Sequence, residues 1–164
     1  MVNPLYDKIK ESLNEGSFFL HSITDLALQR LEGLDRNQPV NVLITGDRDL
    51  YDIPVIMRNI VSFLRYFEDK ENFRILTGDR KGVETVVKKA VKANNIDHYI
   101  FRTEDENWRE DKETKAHKRD IAMMARADVV FFITQGNVAE TDSMYRLARD
   151  NGLAVSRRNN RRKS

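Results

Sequence analysis

From residue 40 onward, short apolar runs alternate with longer segments whose apolar residues recur at helical spacing. The runs predict strands over residues 40–45, 73–77, 98–101, 128–133 and 153–156, and the longer segments predict helices over 53–67, 83–94, 114–126 and 140–151. Such alternation is typical of a parallel sheet with helices on both faces, and right-handed crossovers give the strand order 3-2-1-4-5. We therefore predict an α/β, Rossmann-like domain with a parallel five-stranded sheet over residues 39–156.

The first 38 residues carry apolar side chains at helical spacing. Leu5, Ile9 and Leu13 fall four residues apart, and a second apolar stripe follows a break at Gly16. This pattern predicts an N-terminal helical extension of two helices over residues 1–38. Because an amphipathic helix must bury its apolar face, we expect the extension to pack on the domain as an accessory layer, with a homodimer interface as the alternative.

The composition excludes several classes of protein. The chain of 164 residues has no cysteine, which excludes disulfides, thiolate metal sites and cysteine nucleophiles, and its three histidines lack metal-ligand spacing. We therefore expect no metal and no cofactor. No apolar run approaches the roughly 20 residues of a membrane span, and the start lacks the features of a signal peptide. The sequence thus predicts a soluble, cytoplasmic protein with no membrane partner.

The formal net charge of +2 conceals an uneven distribution. Four arginines, one lysine and no acid lie within residues 157–164, so the rest of the chain carries a net charge of −3. This segment lacks apolar residues, which predicts a disordered basic tail. The basic pI is therefore poor evidence for nucleic-acid binding, and we expect the tail to have a supporting electrostatic role at most.

The tetrapeptide Thr-Gly-Asp-Arg occurs twice, at residues 45–48 and 77–80, each time at the end of a predicted strand. Parallel strands place both turns at the edge where open α/β sheets bind ligands, with the turn after the fourth strand facing the first across a crevice. Glycine allows close backbone approach, and the amides that open the next helix attract anions. The repeats therefore predict a site for a phosphate-bearing ligand, with ordinary solvated turns as the alternative.

The predicted ligand-binding residues of these turns are Gly46, Asp47, Arg48, Asp49, Gly78, Asp79, Arg80, Lys81, Gly82, Glu84, Gly136, Asn137 and Thr141. Two further ligand-binding residues are predicted outside these turns. Trp108 stands in a highly charged loop, where it could stack on a base or anchor the loop to the domain. Arg119 could reach the crevice from its helix or lie on a solvated face.

At these positions the chain resembles the SLOG superfamily, a Rossmann-like group that includes lonely-guy phosphoribohydrolases, the DNA-processing protein DprA, and small bacterial and phage proteins that sense or process nucleotides. The small members end the first strand in Gly-Ser-Arg-Asp, where residues 46–49 read Gly-Asp-Arg-Asp. They end the second in Gly-Gly-Ala-Arg-Gly-Ala-Asp, where residues 78–84 read Gly-Asp-Arg-Lys-Gly-Val-Glu. The last helix of the family opens with Gly-Thr, where this chain has Glu140 and Thr141.

The resemblance implies three alternative functions. The first is a module that binds a nucleotide or nucleotide-derived ligand, as a sensor or sequestering protein and as a homodimer. The second is a nucleotide N-glycosidase, in which Glu84 or Glu140 would stabilise an oxocarbenium-like centre or activate water. The third is a nucleic-acid binder similar to DprA. Because Glu140 replaces a glycine and the phosphoribohydrolase signature is not present, we rank binding above catalysis.

Overall fold

The computed structural model describes residues 21–22, 38–47, 50–66, 72–102, 112–134, 139–151 and 153–159. At residues 21–22, 66, 112–117, 139–143, 154 and 156–159 it describes the backbone alone. The strands of this part of the chain are β1 (His21–Ser22), β2 (Val40–Gly46), β3 (Phe73–Gly78), β4 (His98–Phe101), β5 (Val129–Thr134) and β6 (Ala154–Asn159). The helices are α1 (Ile53–Tyr66), α2 (Val83–Ala93), α3 (Lys112–Arg126) and α4 (Ala139–Asp150).

The strands form one sheet in the order β1-β6-β5-β2-β3-β4. The neighbours within β5-β2-β3-β4 are parallel, which confirms the predicted α/β class and the order 3-2-1-4 for the first four predicted strands. β5 pairs directly with β2, although β3 and β4 lie between them in the chain. The strand order therefore reverses between β2 and β5, and ligands of open α/β sheets bind at the carboxyl ends of such strands. We call this end of the sheet the carboxyl edge.

The central strands are apolar because helices cover both faces of the sheet. β5 reads Val-Val-Phe-Phe-Ile-Thr and is buried along its whole length, as is typical of a central parallel strand. α1 and α2 pack on one face, where the rings of Phe63 and Phe131 have centroids 4.3 Å apart. α3 and α4 pack on the other face, where Met123 and Met124 share a buried cluster with Phe132. No helix within the described ranges is long and apolar enough to cross a membrane.

The outer strands differ from the sequence-based expectation. His21 and Ser22 are extended and pair antiparallel with β6, so the predicted helix is wrong at these two residues, and the rest of the predicted extension lies outside the described residues. β6 continues to Asn159, which pairs with Thr134 at the end of β5. The boundary predicted at residue 156 is therefore three residues too early, because the backbone of β5 offers hydrogen bonds that continue the strand. Residues 160–164 lie outside the described part.

Candidate functional site

The two Thr-Gly-Asp-Arg turns lie side by side at the carboxyl edge. Asp47, directly after β2, donates its amide to the carbonyl of Ile133 in β5, with a nitrogen–oxygen distance of 3.2 Å. Its carbonyl accepts a hydrogen bond of 3.2 Å from the amide of Val83, the first residue of α2. The backbone after β2 is thus tied to β5 on one side and to the helix that follows the second turn on the other.

Neighbouring protein atoms leave no room for a side chain at Gly46 or Gly78, the glycines of the two repeats. A Cβ atom on Gly46 would clash with the carbonyl oxygen of Ile133. On Gly78 it would clash with the carboxylate of Glu84 and lie 3.0 Å from Cζ of Arg119. The sequence alone attributed these glycines to the approach of a phosphate, whereas protein atoms occupy the space beside both of them.

Glu84 joins three separate elements through one carboxylate. It lies in the first turn of α2, and its side chain is completely buried. Its Oε2 accepts a hydrogen bond of 2.6 Å from the hydroxyl of Thr45 near the end of β2. Its Oε1 accepts one of 3.1 Å from the amide of Arg80 and lies 3.6 Å from Nη1 of Arg119 in α3. Both carboxylate oxygens are therefore engaged with the protein.

Arg119 is buried among carboxylates from three segments, and its side chain is only 1 % exposed. Its Nη1 lies 2.6 Å from Oδ1 of Asp79, and its Nη2 lies 3.0 Å from Oδ1 of Asp120. The second oxygen of Asp120 accepts a hydrogen bond of 2.7 Å from Nη2 of Arg80. We call Asp79, Arg80, Glu84, Arg119 and Asp120 the ionic cluster.

The ionic cluster contains two guanidinium groups and three carboxylates, so it carries one net negative charge when all are ionised. Burial acts to lower the pKa of Arg119, but the charges of Glu84 and Asp120 and the hydrogen bonds to Asp120 and Asp79 raise it above its usual value. Arg119 therefore stays protonated across the physiological range. The Nε atoms of Arg80 and Arg119 are buried and find no hydrogen-bond partner in the described part of the chain. Such buried donors are uncommon in folded proteins.

The second turn forms a solvent-facing surface above the ionic cluster. Lys81 is exposed, and the side chains of Asp79 and Arg80 are 24 % and 15 % exposed. Gly82, with a φ of 79°, then leads into α2. The turn thus presents an ammonium group, a carboxylate and part of a guanidinium group. Together these groups can pair with an anion and accept hydrogen bonds from hydroxyl or amino groups.

Of the predicted residues, the structure brings together Gly46, Asp47, Gly78, Asp79, Arg80, Lys81, Gly82, Glu84 and Arg119. Five others, Arg48, Asp49, Trp108, Gly136 and Asn137, lie outside the described residues. Glu140 and Thr141 are in the first turn of α4, where the structure describes the backbone alone. Because α4 follows β5, its first turn belongs to the carboxyl edge, but the roles of these two side chains stay predictions.

Two contributors from other elements were not predicted. Met144 of α4 places its Sδ 3.2 Å from Nη1 of Arg80 and 3.8 Å from the hydroxyl of Thr45. Asp120 contacts both arginines of the ionic cluster. The thioether is a weak acceptor, so Met144 closes the cluster towards α4 mainly by packing.

The sequence of α3 contains a signal that Arg119 and Asp120 are buried. Arg119 and Asp120 precede Met123 and Met124 by four residues each, and all four side chains are buried. Residues four apart share one face of a helix, so the charged pair occupies the core stripe of α3. Charged residues are almost never fully buried unless they are paired, so this position indicates a buried ionic contact.

Other places in the described structure fit a polar ligand less well. An apolar cavity of about 160 Å³ lies between α1 and α2, and its lining consists of apolar side chains and Asn94. A cavity of this kind has few polar groups to orient a ligand. Among the described residues, no group of three His, Cys, Asp or Glu side chains is placed to hold a metal ion. The carboxyl edge is therefore the candidate site.

No protein-family model matches the chain, and no curated protein is similar to it in sequence. The resemblance to the SLOG superfamily therefore stays a prediction based on short motifs.

Proposed function

We propose that the carboxyl edge binds a nucleotide or a nucleotide-derived ligand, and that the protein acts as a sensor or sequestering module. The observation that carries the proposal is the ionic cluster. Its Glu84 joins Thr45 of the first repeat to the amide of Arg80 in the second, while Asp79, Arg80 and Lys81 keep a solvent-facing side. A site that is held rigid before the ligand arrives loses less conformational freedom on binding, which favours affinity.

The chemistry of the second turn suits the polar parts of a nucleotide. The partly exposed carboxylate of Asp79 can accept hydrogen bonds from ribose hydroxyls or from an amino group of the base. The exposed ammonium group of Lys81, two residues before α2, can pair with a phosphate. The resemblance of residues 46–49 and 78–84 to SLOG motifs supports the same ligand class.

The position of Glu84 favours binding over hydrolysis of an N-glycosidic bond. A general acid or base must lie within hydrogen-bond reach of the atom whose proton it transfers. Glu84 is completely buried, and its two oxygens already accept hydrogen bonds from Thr45 and from the amide of Arg80. We therefore assign Glu84 to positioning the turns and expect the ligand to leave the protein unchanged.

The proposal is tested by thermal unfolding in the presence of nucleoside mono-, di- and triphosphates, NAD derivatives and cyclic nucleotides, followed by mass spectrometry of each mixture. We expect a raised Tm with intact ligand, because a ligand that binds only the native state stabilises it. Release of free base or ribose phosphate would overturn the assignment to binding and support the glycosidase. No shift with any compound would overturn the proposal itself.

Two lysine variants test whether the ligand binds at the second turn. Lys81→Ala removes the exposed cation beside the turn and should weaken binding about three- to tenfold, which is within the range that a typical net hydrogen bond contributes. Lys89→Ala is the matched control, because Lys89 is also exposed and lies on α2 further from the carboxyl edge. Isothermal titration of each variant measures the difference. Equal losses in both variants would contradict binding at the second turn.

A further inference from the structure

The outer side of α1 carries a row of apolar side chains at the surface. Ile53 and Val61 are 58 % and 43 % exposed, and Met57 and Leu64 are half-buried. Their spacing places all four on one side of the helix, over about 16 Å at 1.5 Å per residue. Single apolar residues are common at protein surfaces, but a contiguous row beside charged residues is typical of an interaction site.

A cavity behind this row has room for one apolar side chain. It is the cavity of about 160 Å³ between α1 and α2, and Met57, Val61 and Leu64 belong both to the row and to its lining. Val61 is exposed, and so is Asn94, which lines the cavity directly after α2, so the cavity reaches the surface between the two helices. A space of this size with apolar walls holds a benzene-sized group. We call the row and this cavity the apolar groove.

The charged side chains of α1 and α2 around the apolar groove are positive. Arg58 and Arg65 are exposed and lie three residues before and four residues after Val61, so they border the row on α1. Neither arginine forms an ion pair with a described residue. α2 adds three lysines within residues 88–92, and the one acid of the two helices, Glu84, is buried in the ionic cluster.

From this arrangement we infer that the apolar groove docks an amphipathic helix of a partner protein that carries acidic side chains beside its apolar face. The row is as long as about three turns of such a helix, which presents apolar side chains at the same spacing. One bulky side chain enters the cavity, and carboxylates beside it meet Arg58 and Arg65. The inference stands apart from the proposed function, because the groove shares no side chain with the ionic cluster.

Two other occupants fit the apolar groove less well. Two-fold pairing of the row with that of a second copy would bring Arg58 and Arg65 of both copies together, and like charges repel. A nucleic acid would pair its phosphates with the cations but leave the apolar row in water. An acidic amphipathic helix covers the apolar row and also pairs with its charged border.

The experiment uses two synthetic peptides of about 14 residues, or four helical turns, that differ only in charge. Both have leucines at the i, i+3, i+4 and i+7 positions of one face, and one peptide carries glutamates beside them where the other carries lysines. Each is titrated into the isotope-labelled full chain, and the NMR shifts of backbone amides give the affinity and the contacted residues. We expect the glutamate peptide to shift amides of α1 and α2 and to bind at least about tenfold more tightly than the lysine peptide, as charged contacts would give.

Charge reversal tests the border of the apolar groove. In the variant Arg58→Glu/Arg65→Glu, the lysine peptide should become the tighter ligand by about threefold or more. Arg146→Glu/Arg149→Glu makes the same change of charge on the exposed surface of α4 and should keep the preference for the glutamate peptide. This control separates contacts at the groove from the net charge of the protein.

Two neutral substitutions test the apolar row. Val61→Gln places an amide in the groove and should weaken binding of the glutamate peptide at least about fivefold, because the complex then buries a polar group. Ile121→Gln changes a side chain of similar exposure, 46 %, on α3 and should leave the affinity unchanged. Both side chains are exposed, so we expect both variants to fold, and circular dichroism checks this.

Three results would overturn the inference. The first is no shift in α1 and α2 at about 1 mM peptide, or equal affinity for the two peptides. The second is a dimer in analytical ultracentrifugation that dissociates in the Val61→Gln variant, which would assign the groove to a second copy. The third is tighter binding to vesicles of anionic phospholipid than to the glutamate peptide, lost in the same variant, which would assign it to a membrane surface. Nucleotide binding at the carboxyl edge is measured separately and is decided by neither peptide.

Discussion

The amino edge of the sheet, where its parallel strands begin, and the carboxyl edge hold their charged side chains in different ways. At the amino edge, the amide of Asn41 donates to the carboxylate of Asp128 at 2.9 Å, and the amide of Asp128 donates to the carbonyl of Asn41 at 2.8 Å. The ion pair between Arg74 and Asp97 at that edge spans 3.0 Å, and its side chains are 37 % and 56 % exposed. At the carboxyl edge, the five charged side chains of the ionic cluster interlock, and three of them are almost completely buried.

The exposed ion pair and the buried ionic cluster differ in what their charges cost the folded protein. Removing charges from water costs free energy that their mutual attraction seldom returns in full. The amino edge shows that parallel strands of this sheet are joined by backbone hydrogen bonds and an exposed ion pair. The joining of strands therefore does not by itself account for the buried charge at the carboxyl edge, and this charge supports the proposal that the edge binds a ligand.

The largest effect on stability is expected from Arg119→Met, which keeps an unbranched apolar stem but removes the guanidinium group and its charge. It leaves Asp79, Glu84 and Asp120 with excess negative charge in a buried site. We expect the free energy of unfolding to fall by about 3–5 kcal/mol, the usual cost of leaving buried charges without their partner. Urea unfolding followed by circular dichroism measures it. A loss below about 1 kcal/mol would mean that the cluster is solvated and would remove the distinction between the edges.

A smaller effect is expected from Gly78→Ala, which probes the packing of the same cluster. The added methyl group meets the carboxylate of Glu84 and the guanidinium of Arg119. Because both groups are buried and held by partners, we expect a loss of about 1–3 kcal/mol in the free energy of unfolding, as overpacked cores show. The cost should shrink in a Glu84→Ala background, where the closest clashing atom is gone. Equal costs in both backgrounds, compared in a double-mutant cycle, would contradict the described contact.

The smallest effect is expected at the amino edge, from Asp97→Asn. It removes the charge that faces Arg74 in an exposed pair. Surface ion pairs of this kind contribute less than about 1 kcal/mol to stability. Urea unfolding at low salt should show a loss within that limit, and the loss should vanish at 1 M salt because the charges are screened. A loss as large as that of Arg119→Met would show that the two edges do not differ energetically.

The central part of the fold was predictable because its pattern is strong. β5 is apolar except for Thr134, α1 carries apolar residues on one face, and right-handed crossovers limit the possible strand orders. The sequences of the outer strands have no such pattern. Arg157, Arg158 and Asn159 are polar, and they form a strand because β5 offers its backbone hydrogen bonds. Pairing at an open sheet edge depends on the neighbouring backbone more than on side-chain periodicity, so the strand end was placed too early.

The site was predictable in position but not in its contacts. The strand order brings the two repeats to one edge, whatever their side chains do. The burial of Arg119 depends on carboxylates that arrive from three separate places, the turn after β3, the first turn of α2, and α3 itself. No local sequence window contains all of these groups. The sequence therefore presented Glu84 as a candidate for chemistry, while the folded protein uses its carboxylate to hold the turns together.

The direction of β6 has a practical consequence for handling the molecule. Because β6 runs parallel to β5, it ends with Asn159 at the same edge of the sheet as Asp79 and Lys81. A polyhistidine tag or a fluorescent protein fused close behind this strand would bring its own bulk and charge near that edge. Recombinant material for ligand titrations therefore needs a carboxyl terminus without a fusion, or a linker that a protease removes completely.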